Sequence, residues 1–100
     1  MDLRDYAARD AVGLAALVRT REVSAAEVED AARRAIGAVD PTLDATVGRL
    51  LEPALEASGD GPLAGVPFAM KEVAPHLQGQ VSQLGSRWAG DGVTGAADTH

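Results

Sequence analysis

The sequence contains no cysteine and very few large side chains. Its 100 residues include one Phe, one Trp, one Tyr and one Lys. The absence of cysteine excludes a disulfide framework and thiolate metal sites. No apolar run is long enough for a membrane helix, and the first residues lack the apolar core of a signal peptide. These absences predict a soluble, cytoplasmic protein that uses no metal or other cofactor.

The apolar content is also poorer than it first looks. Hydrophobic residues make up 46% of the chain, but 20 of them are alanine. A chain of this size with so few large side chains buries little apolar surface. We therefore expect missing partner surface, supplied by the rest of a longer polypeptide or by a second copy in a homodimer. The net charge of -6 and the lack of a basic run argue against nucleic acid and membrane surfaces as partners.

Periodicity and turn residues predict an α/β fold, in which short helices precede the first strands of a sheet. Ser24 and Glu27 have the spacing of a capping box, and Asp40-Pro41 is expected to stop the helix that they begin. Trp88 is expected to anchor the last loop by packing. The predicted elements are helices at about 10–20, 25–39 and 52–58, strands at about 43–50 and 66–73, and a loop at 74–100.

The last residues predict a helix that does not follow. Asp98 or Thr99 would be its N-cap. We interpret the chain as a truncated portion of a larger domain.

Lys71 is the main candidate for chemistry. It stands near the end of the apolar strand predicted at 66–73, where burial would favour a neutral amine. A neutral lysine is a competent general base, and serine–lysine pairs are a known way to activate a nucleophile. Lysine at a strand end is more often a solvated surface residue, so spacing alone leaves both interpretations open.

The segment around Lys71 resembles the amidase-signature family. It carries the pattern Leu-x-Gly-Val-Pro-x-x-x-Lys followed by an acidic residue, which here is Glu72 where the family usually has Asp. The loop from Lys71 to Gln80 resembles the branch that opens cyclic amides of nylon oligomers. Other parts match in order and spacing: 17–27, 36–45, Gly79, Gly85-Ser86 and Asp98-Thr99.

The resemblance implies a mixed sheet flanked by helices and a Ser–cis-Ser–Lys triad that cleaves or transfers small-molecule amides. Only the lysine of that triad maps onto this chain, as Lys71. Both serines and the Gly/Ser-rich stretch that binds the oxyanion would follow His100. The chain by itself is therefore expected to be inactive and of low stability.

Two other interpretations stay open. The chain could be a small acidic helical module whose apolar stripe from Val28 to Val39 docks on a partner, or part of the glutaminase-like subunit of a tRNA-dependent amidotransferase. The remaining candidates have simpler explanations. His76 and His100 lack neighbours at ligand spacing, and Ser82 and Ser86 lack a Gly-x-Ser-x-Gly elbow, which makes them ordinary turn residues.

Overall fold

A computed structural model describes residues 1–48, 50–52, 60–72 and 78–97 of the chain. The chain divides into two compact units, Met1–Pro67 and Phe68–His100. Within the described ranges there are three α-helices, one 3-10 helix and a two-stranded antiparallel sheet. The helix predicted at 52–58 lies almost entirely outside the described residues.

The first unit is helical, and each helix begins at a capping side chain. Helix α1 (Leu3–Ala7), which the sequence pattern did not predict, starts where the Asp2 carboxylate accepts from the Asp5 amide. Helix α2 (Ala11–Arg19) covers the segment predicted at 10–20, and the Asp10 carboxylate accepts from the Gly13 amide at 2.7 Å. A side-chain oxygen satisfies an amide that the first helical turn leaves without a partner.

Helix α3 (Ala25–Leu43) begins at the capping box that the sequence predicts. The Ser24 amide donates to the Glu27 carboxylate at 2.8 Å, and the Glu27 amide donates to the Ser24 hydroxyl at 3.2 Å. The core of the described chain is small and alanine-rich. It lies on α2 and α3 and consists of Leu14, Ala15, Val28, Ala31 and Ala32.

The predicted end of this helix at Asp40-Pro41 is wrong, because α3 continues to Leu43 with Pro41 in its last turn. Proline removes one amide donor, which is tolerable so close to the end. The Asp40 carboxylate then accepts from the amides of Ala45 and Thr46, at 2.8 and 3.0 Å, and from the Thr46 hydroxyl. These bonds turn the chain sharply after the helix. The strand predicted at 43–50 is therefore also wrong for every described residue in that range.

Two arginines of α3 tie neighbouring chain segments to the helix. Arg33 pairs with Glu29 and donates to the carbonyl of Leu51. Arg34 pairs with Asp30 and donates to the carbonyl of Met1 at 2.7 Å. The latter bond holds the N-terminal residues against α3, which α1 also contacts.

The segment 61–67 closes the first unit with two consecutive turns. The Ala64 amide donates to the Gly61 carbonyl, and the Val66 amide donates to the Leu63 carbonyl. Gly65 has a φ of +78°, and a Cβ there would lie 2.9 Å from Cγ1 of Val18 on α2. Only glycine combines this backbone conformation with so close an approach.

The second unit contains the sheet. Strands β1 (Val81–Ser82) and β2 (Val93–Thr94) pair antiparallel, with Val81 opposite Thr94. The 3-10 helix Arg87–Ala89 lies in the connection, and its first turn is capped by Ser86. The region predicted as loop 74–100 thus holds a hairpin, which periodicity cannot detect because each strand has only two residues.

Large apolar side chains are exposed in both units. Phe68 is 86% exposed and Trp88 is 95% exposed, so Trp88 does not pack as the anchor that the sequence predicts. The apolar stripe of α3 is divided: its first half is in the core, while Val39 is 50% exposed. None of the helices in the described part combines the length and the apolar composition that crossing a bilayer requires.

Candidate functional site

Lys71 belongs to the second unit and lies on a segment without regular secondary structure. The strand predicted at 66–73 is wrong for residues 66–72, and Val73 lies outside the described residues. A strand forms only when a neighbour pairs with it, and no described residue pairs with this apolar run. The Lys71 side chain is exposed. The described residues therefore do not bury the Lys71 amine, as an apolar strand would have done.

The residue after the lysine is bound to the hairpin through its side chain. Oε1 of Glu72 accepts a hydrogen bond from the Gln83 amide at 2.8 Å. Gln83 follows β1 directly, and its own side-chain amide donates to the carbonyl of Gly90 at 3.1 Å. A carboxylate acceptor makes the Glu72–Gln83 bond stronger than one between neutral groups.

A serine makes the reciprocal connection. Ser82 is a buried polar residue, with 7% of its surface exposed. Its hydroxyl donates to the main-chain carbonyl of Glu72 at 2.6 Å and accepts from the Leu84 amide at 3.2 Å. Buried hydroxyl groups are nearly always satisfied in this way. Glu72, the residue after Lys71, is thus bound to the hairpin by both its main-chain carbonyl and its side-chain carboxylate.

The hairpin that carries Ser82 and Gln83 is closely packed and has additional main-chain hydrogen bonds. Gly92 has a φ of +83°, and a Cβ there would lie 2.6 Å from the carbonyl oxygen of Ser82. The Gly79 amide donates to the Gly95 carbonyl at 2.9 Å, and the Gly95 amide donates to the Gln80 carbonyl at 3.2 Å. These bonds extend the pairing beyond the two strands. The main chain around Ser82 is therefore fixed by close packing and by several hydrogen bonds.

The structure brings Glu72 and Ser82 together, which sequence reasoning missed. The sequence predicts only an ordinary turn role for Ser82, because ten positions separate it from Glu72 and no local pattern connects them. Ser86 does have such a local role, because its hydroxyl accepts from the Trp88 amide. His76 and His100 lie outside the described residues. Across the described ranges, no three His, Cys, Asp or Glu side chains converge as metal ligands.

Chemically, the site offers one primary amine on an anchored main chain. An amine can accept or donate a proton, and Lys71 carries the chain's only side-chain amine. Among the described residues no hydrogen bond joins Lys71 to a serine; the Ser82 hydroxyl donates to the main chain, and the Ser86 hydroxyl accepts from it. This arrangement can supply one catalytic group to a reaction, but not a complete active site.

Comparison with known proteins finds relatives that act on amides. Over 83 residues the chain is 43% identical to the glutamyl-tRNA(Gln) amidotransferase subunit of Acidothermus cellulolyticus, a match that covers 71% of this chain and 16% of that protein. Over 76 residues it is 36% identical to the 6-aminohexanoate-cyclic-dimer hydrolases of Pseudomonas sp. and Paenarthrobacter ureafaciens, covering 74% of this chain and 15% of each enzyme. No family model matches the chain, and no solved structure matches it.

Both kinds of relative belong to the amidase-signature family, the family that the sequence around Lys71 resembles. They also represent the two branches considered above, the hydrolase of cyclic amides and the amidotransferase. The chain spans about a sixth of the length of these relatives. The similarity supports an amide-cleaving family over about seven tenths of the chain.

Proposed function

We propose that this chain is the N-terminal portion of an amide hydrolase and supplies the lysine of its Ser–cis-Ser–Lys triad. The observation that carries the proposal is the lysine segment, 63–72, in a chain similar to two kinds of amide-processing enzyme. The two serines and the oxyanion-binding stretch would lie outside these 100 residues. The substrate would be a small molecule with a linear or cyclic amide bond.

In this proposal Lys71 acts as a general base. Its unprotonated Nζ takes the proton of the bridging serine, which in turn takes the proton of the nucleophilic serine. The nucleophilic oxygen then bonds to the amide carbon, and the C–N bond breaks as the leaving amine receives the proton that Lys71 took up, returned through the bridging serine. Water hydrolyses the resulting ester and regenerates the serine.

A base of this kind requires an environment that favours the neutral amine, and burial provides it. Because Lys71 is exposed among the described residues, the covering surface would come from the remaining part of the enzyme. The exposed Phe68 and Trp88 support this, since large apolar side chains are usually buried against other protein surface. The small core of the first unit supports it as well.

A second candidate is the glutaminase-like subunit of a tRNA-dependent amidotransferase, favoured by the 43% identity to the amidotransferase of Acidothermus cellulolyticus. The lysine would have the same role, but glutamine would be the amide donor and partner subunits would be required. The substrate separates the two candidates. Hydrolysis of cyclic or linear amides by the protein alone favours the hydrolase, whereas glutamine hydrolysis that depends on partner subunits favours the amidotransferase.

The helical binding module is less well supported. Half of its proposed docking stripe on α3 is already buried in the chain's own core, namely Val28, Ala31 and Ala32. None of the three relatives described above is such a module.

The test starts with the reading frame beyond the His100 codon. A frame that continues into a Gly/Ser-rich stretch with two suitably placed serines supports the proposal, and a stop codon refutes it for this chain. In the complete protein, Lys71→Ala should then lower kcat for amide hydrolysis by about 10²–10⁴-fold, the usual contribution of a general base.

Two further variants make this assay specific. Lys71→Arg keeps the positive charge but cannot act as a neutral base, so it should be as inactive as Lys71→Ala. Arg9→Ala removes another exposed cation from the described part and should leave kcat unchanged. Full activity in Lys71→Ala would overturn the proposal.

A further inference from the structure

The residue beside Lys71 is held by two hydrogen bonds that cross between the same two segments. Glu72 presents its carbonyl to the hydroxyl of Ser82, at 2.6 Å, and its carboxylate to the amide of Gln83, at 2.8 Å. One bond uses the side chain of the hairpin and the main chain of Glu72, and the other reverses these roles. Together the two bonds hold Glu72 to the hairpin through its carbonyl and its side chain, and Glu72 is covalently joined to Lys71.

Both bonds lie outside the pairing that closes the hairpin. The hairpin is closed by its own strand pairing and by the bonds between Gly79, Gln80 and Gly95. The Leu84 amide satisfies the Ser82 hydroxyl only as an acceptor, so the buried hydroxyl still requires an acceptor for its own proton. The Glu72 carbonyl is that acceptor, and the bond links the hairpin to the residue after the lysine.

We infer that Glu72 and Ser82 are positioning residues that set where the Lys71 main chain lies, and thereby the place from which Nζ reaches its proton donor. This inference rests on the proposed function. The lysine side chain is long and flexible, so its amine is well placed only if its Cα is held. Displacement of a catalytic group by about 1 Å can lower a rate by roughly a hundredfold.

The test uses the complete protein and four variants at the two positions. Ser82→Ala removes the hydroxyl that donates to Glu72, and Glu72→Ala removes the acceptor for the Gln83 amide. Each should lower kcat by roughly ten- to a hundredfold while KM stays unchanged, because the substrate is not contacted. Ser82→Thr retains a hydroxyl and Glu72→Gln retains an acceptor oxygen, so both should return kcat close to the wild-type value.

Ser86→Ala is the matched control. Ser86 lies in the same unit and accepts from a main-chain amide, that of Trp88, at 3.2 Å. Its substitution should leave kcat unchanged. Amide hydrogen exchange supplies a readout apart from activity: Glu72→Ala should accelerate exchange of the Gln83 amide, and Ser82→Ala that of the Leu84 amide.

The outcomes separate this inference from the proposed function. If Lys71→Ala is inactive but both alanine variants at 72 and 82 keep the wild-type kcat, the positioning role is wrong and the proposed function stands. If Ser82→Thr and Glu72→Gln fail to restore kcat although they fold, the positioning role is also wrong. If Lys71→Ala is fully active, the proposed function itself is overturned. Should one alanine variant not fold, the alanine variant at the other position decides by its kcat, with its conservative partner as the control.

Discussion

Gly65 should be the least replaceable of the described glycines in the first unit. It lies in the double turn at 61–67 with a φ of +78°. A Cβ at this position would lie 2.9 Å from Cγ1 of Val18 and 3.1 Å from Cβ of Ala25. Both neighbours belong to helices, so neither can move away without disturbing the packing of α2 or α3.

The effect of Gly65→Ala can be estimated from these two features. A left-handed backbone at a residue with a Cβ costs about 1–2 kcal/mol. Forcing a methyl group into a filled space costs about 1–3 kcal/mol. Alanine also restricts the unfolded chain, which offsets about 0.4–1 kcal/mol. We expect the free energy of unfolding to fall by about 1–5 kcal/mol, a large share of the stability of a small domain.

Two other glycines provide controls that separate the contributions. Gly48 has a φ of +72° but nothing within 4 Å of its Cβ position, so Gly48→Ala should show only the backbone effect, a loss of about 1 kcal/mol. Gly37 lies inside α3 with nothing within 4 Å of its Cβ position. Gly37→Ala should stabilise the chain by about 0.5–1 kcal/mol, because alanine is the better helix former.

The three variants are compared by urea unfolding followed by far-UV circular dichroism. The expected order of stability is Gly37→Ala, wild type, Gly48→Ala and then Gly65→Ala. Equal losses for Gly48→Ala and Gly65→Ala would refute the close packing of Gly65 against Val18. A Gly65→Ala variant as stable as the wild type would refute the turn conformation as well.

Two more predictions concern the chain itself. The pKa of Glu27 is lowered below its ordinary 4.5 by hydrogen bonds from Ser24, mainly from the Ser24 amide and to a lesser extent from its hydroxyl. The pKa of Asp40 is lowered below its ordinary 3.8 mainly by the hydrogen bond from the Thr46 hydroxyl, and further by those from the amides of Ala45 and Thr46. Because both pKa values are lower in the folded state, this stabilisation is complete above about pH 4.5 and disappears as the pH falls through the lowered values. Helical ellipticity should drop in that acidic window, and less so in the Glu27→Gln, Asp40→Asn double variant; a flat wild-type profile would contradict these contacts. Trp88 is 95% exposed and is the only tryptophan, so the 100-residue chain should show the emission of a fully hydrated indole and strong acrylamide quenching. A blue-shifted, protected emission would show that Trp88 is packed.

Features that depend on a few neighbouring residues could be predicted from the sequence. The capping box of Ser24 and Glu27 forms as expected, because its donors and acceptors lie three residues apart. The family resemblance around Lys71 was also visible without a structure, since it depends on residue order alone.

Strands were not predictable in the same way. The runs at 43–50 and 66–73 are apolar enough for strands, but a strand requires a partner to satisfy its main-chain groups. The strands that do form, β1 and β2, are too short to have a period. Pro41 predicts a helix stop, yet α3 continues to Leu43, and the Asp40 carboxylate accepts from the Ala45 and Thr46 amides just beyond the helix end.

The sequence by itself thus determined the starts of α2 and α3 and the one candidate base of this protein, Lys71. Only the tertiary structure decided what holds that base, because Glu72 and Ser82 are ten positions apart and meet through the hairpin. It also decided that Gly65 is needed, since the requirement comes from Val18 on a distant helix. Capping depends on contacts within one turn of chain, whereas anchoring and close packing depend on surfaces that folding alone brings together.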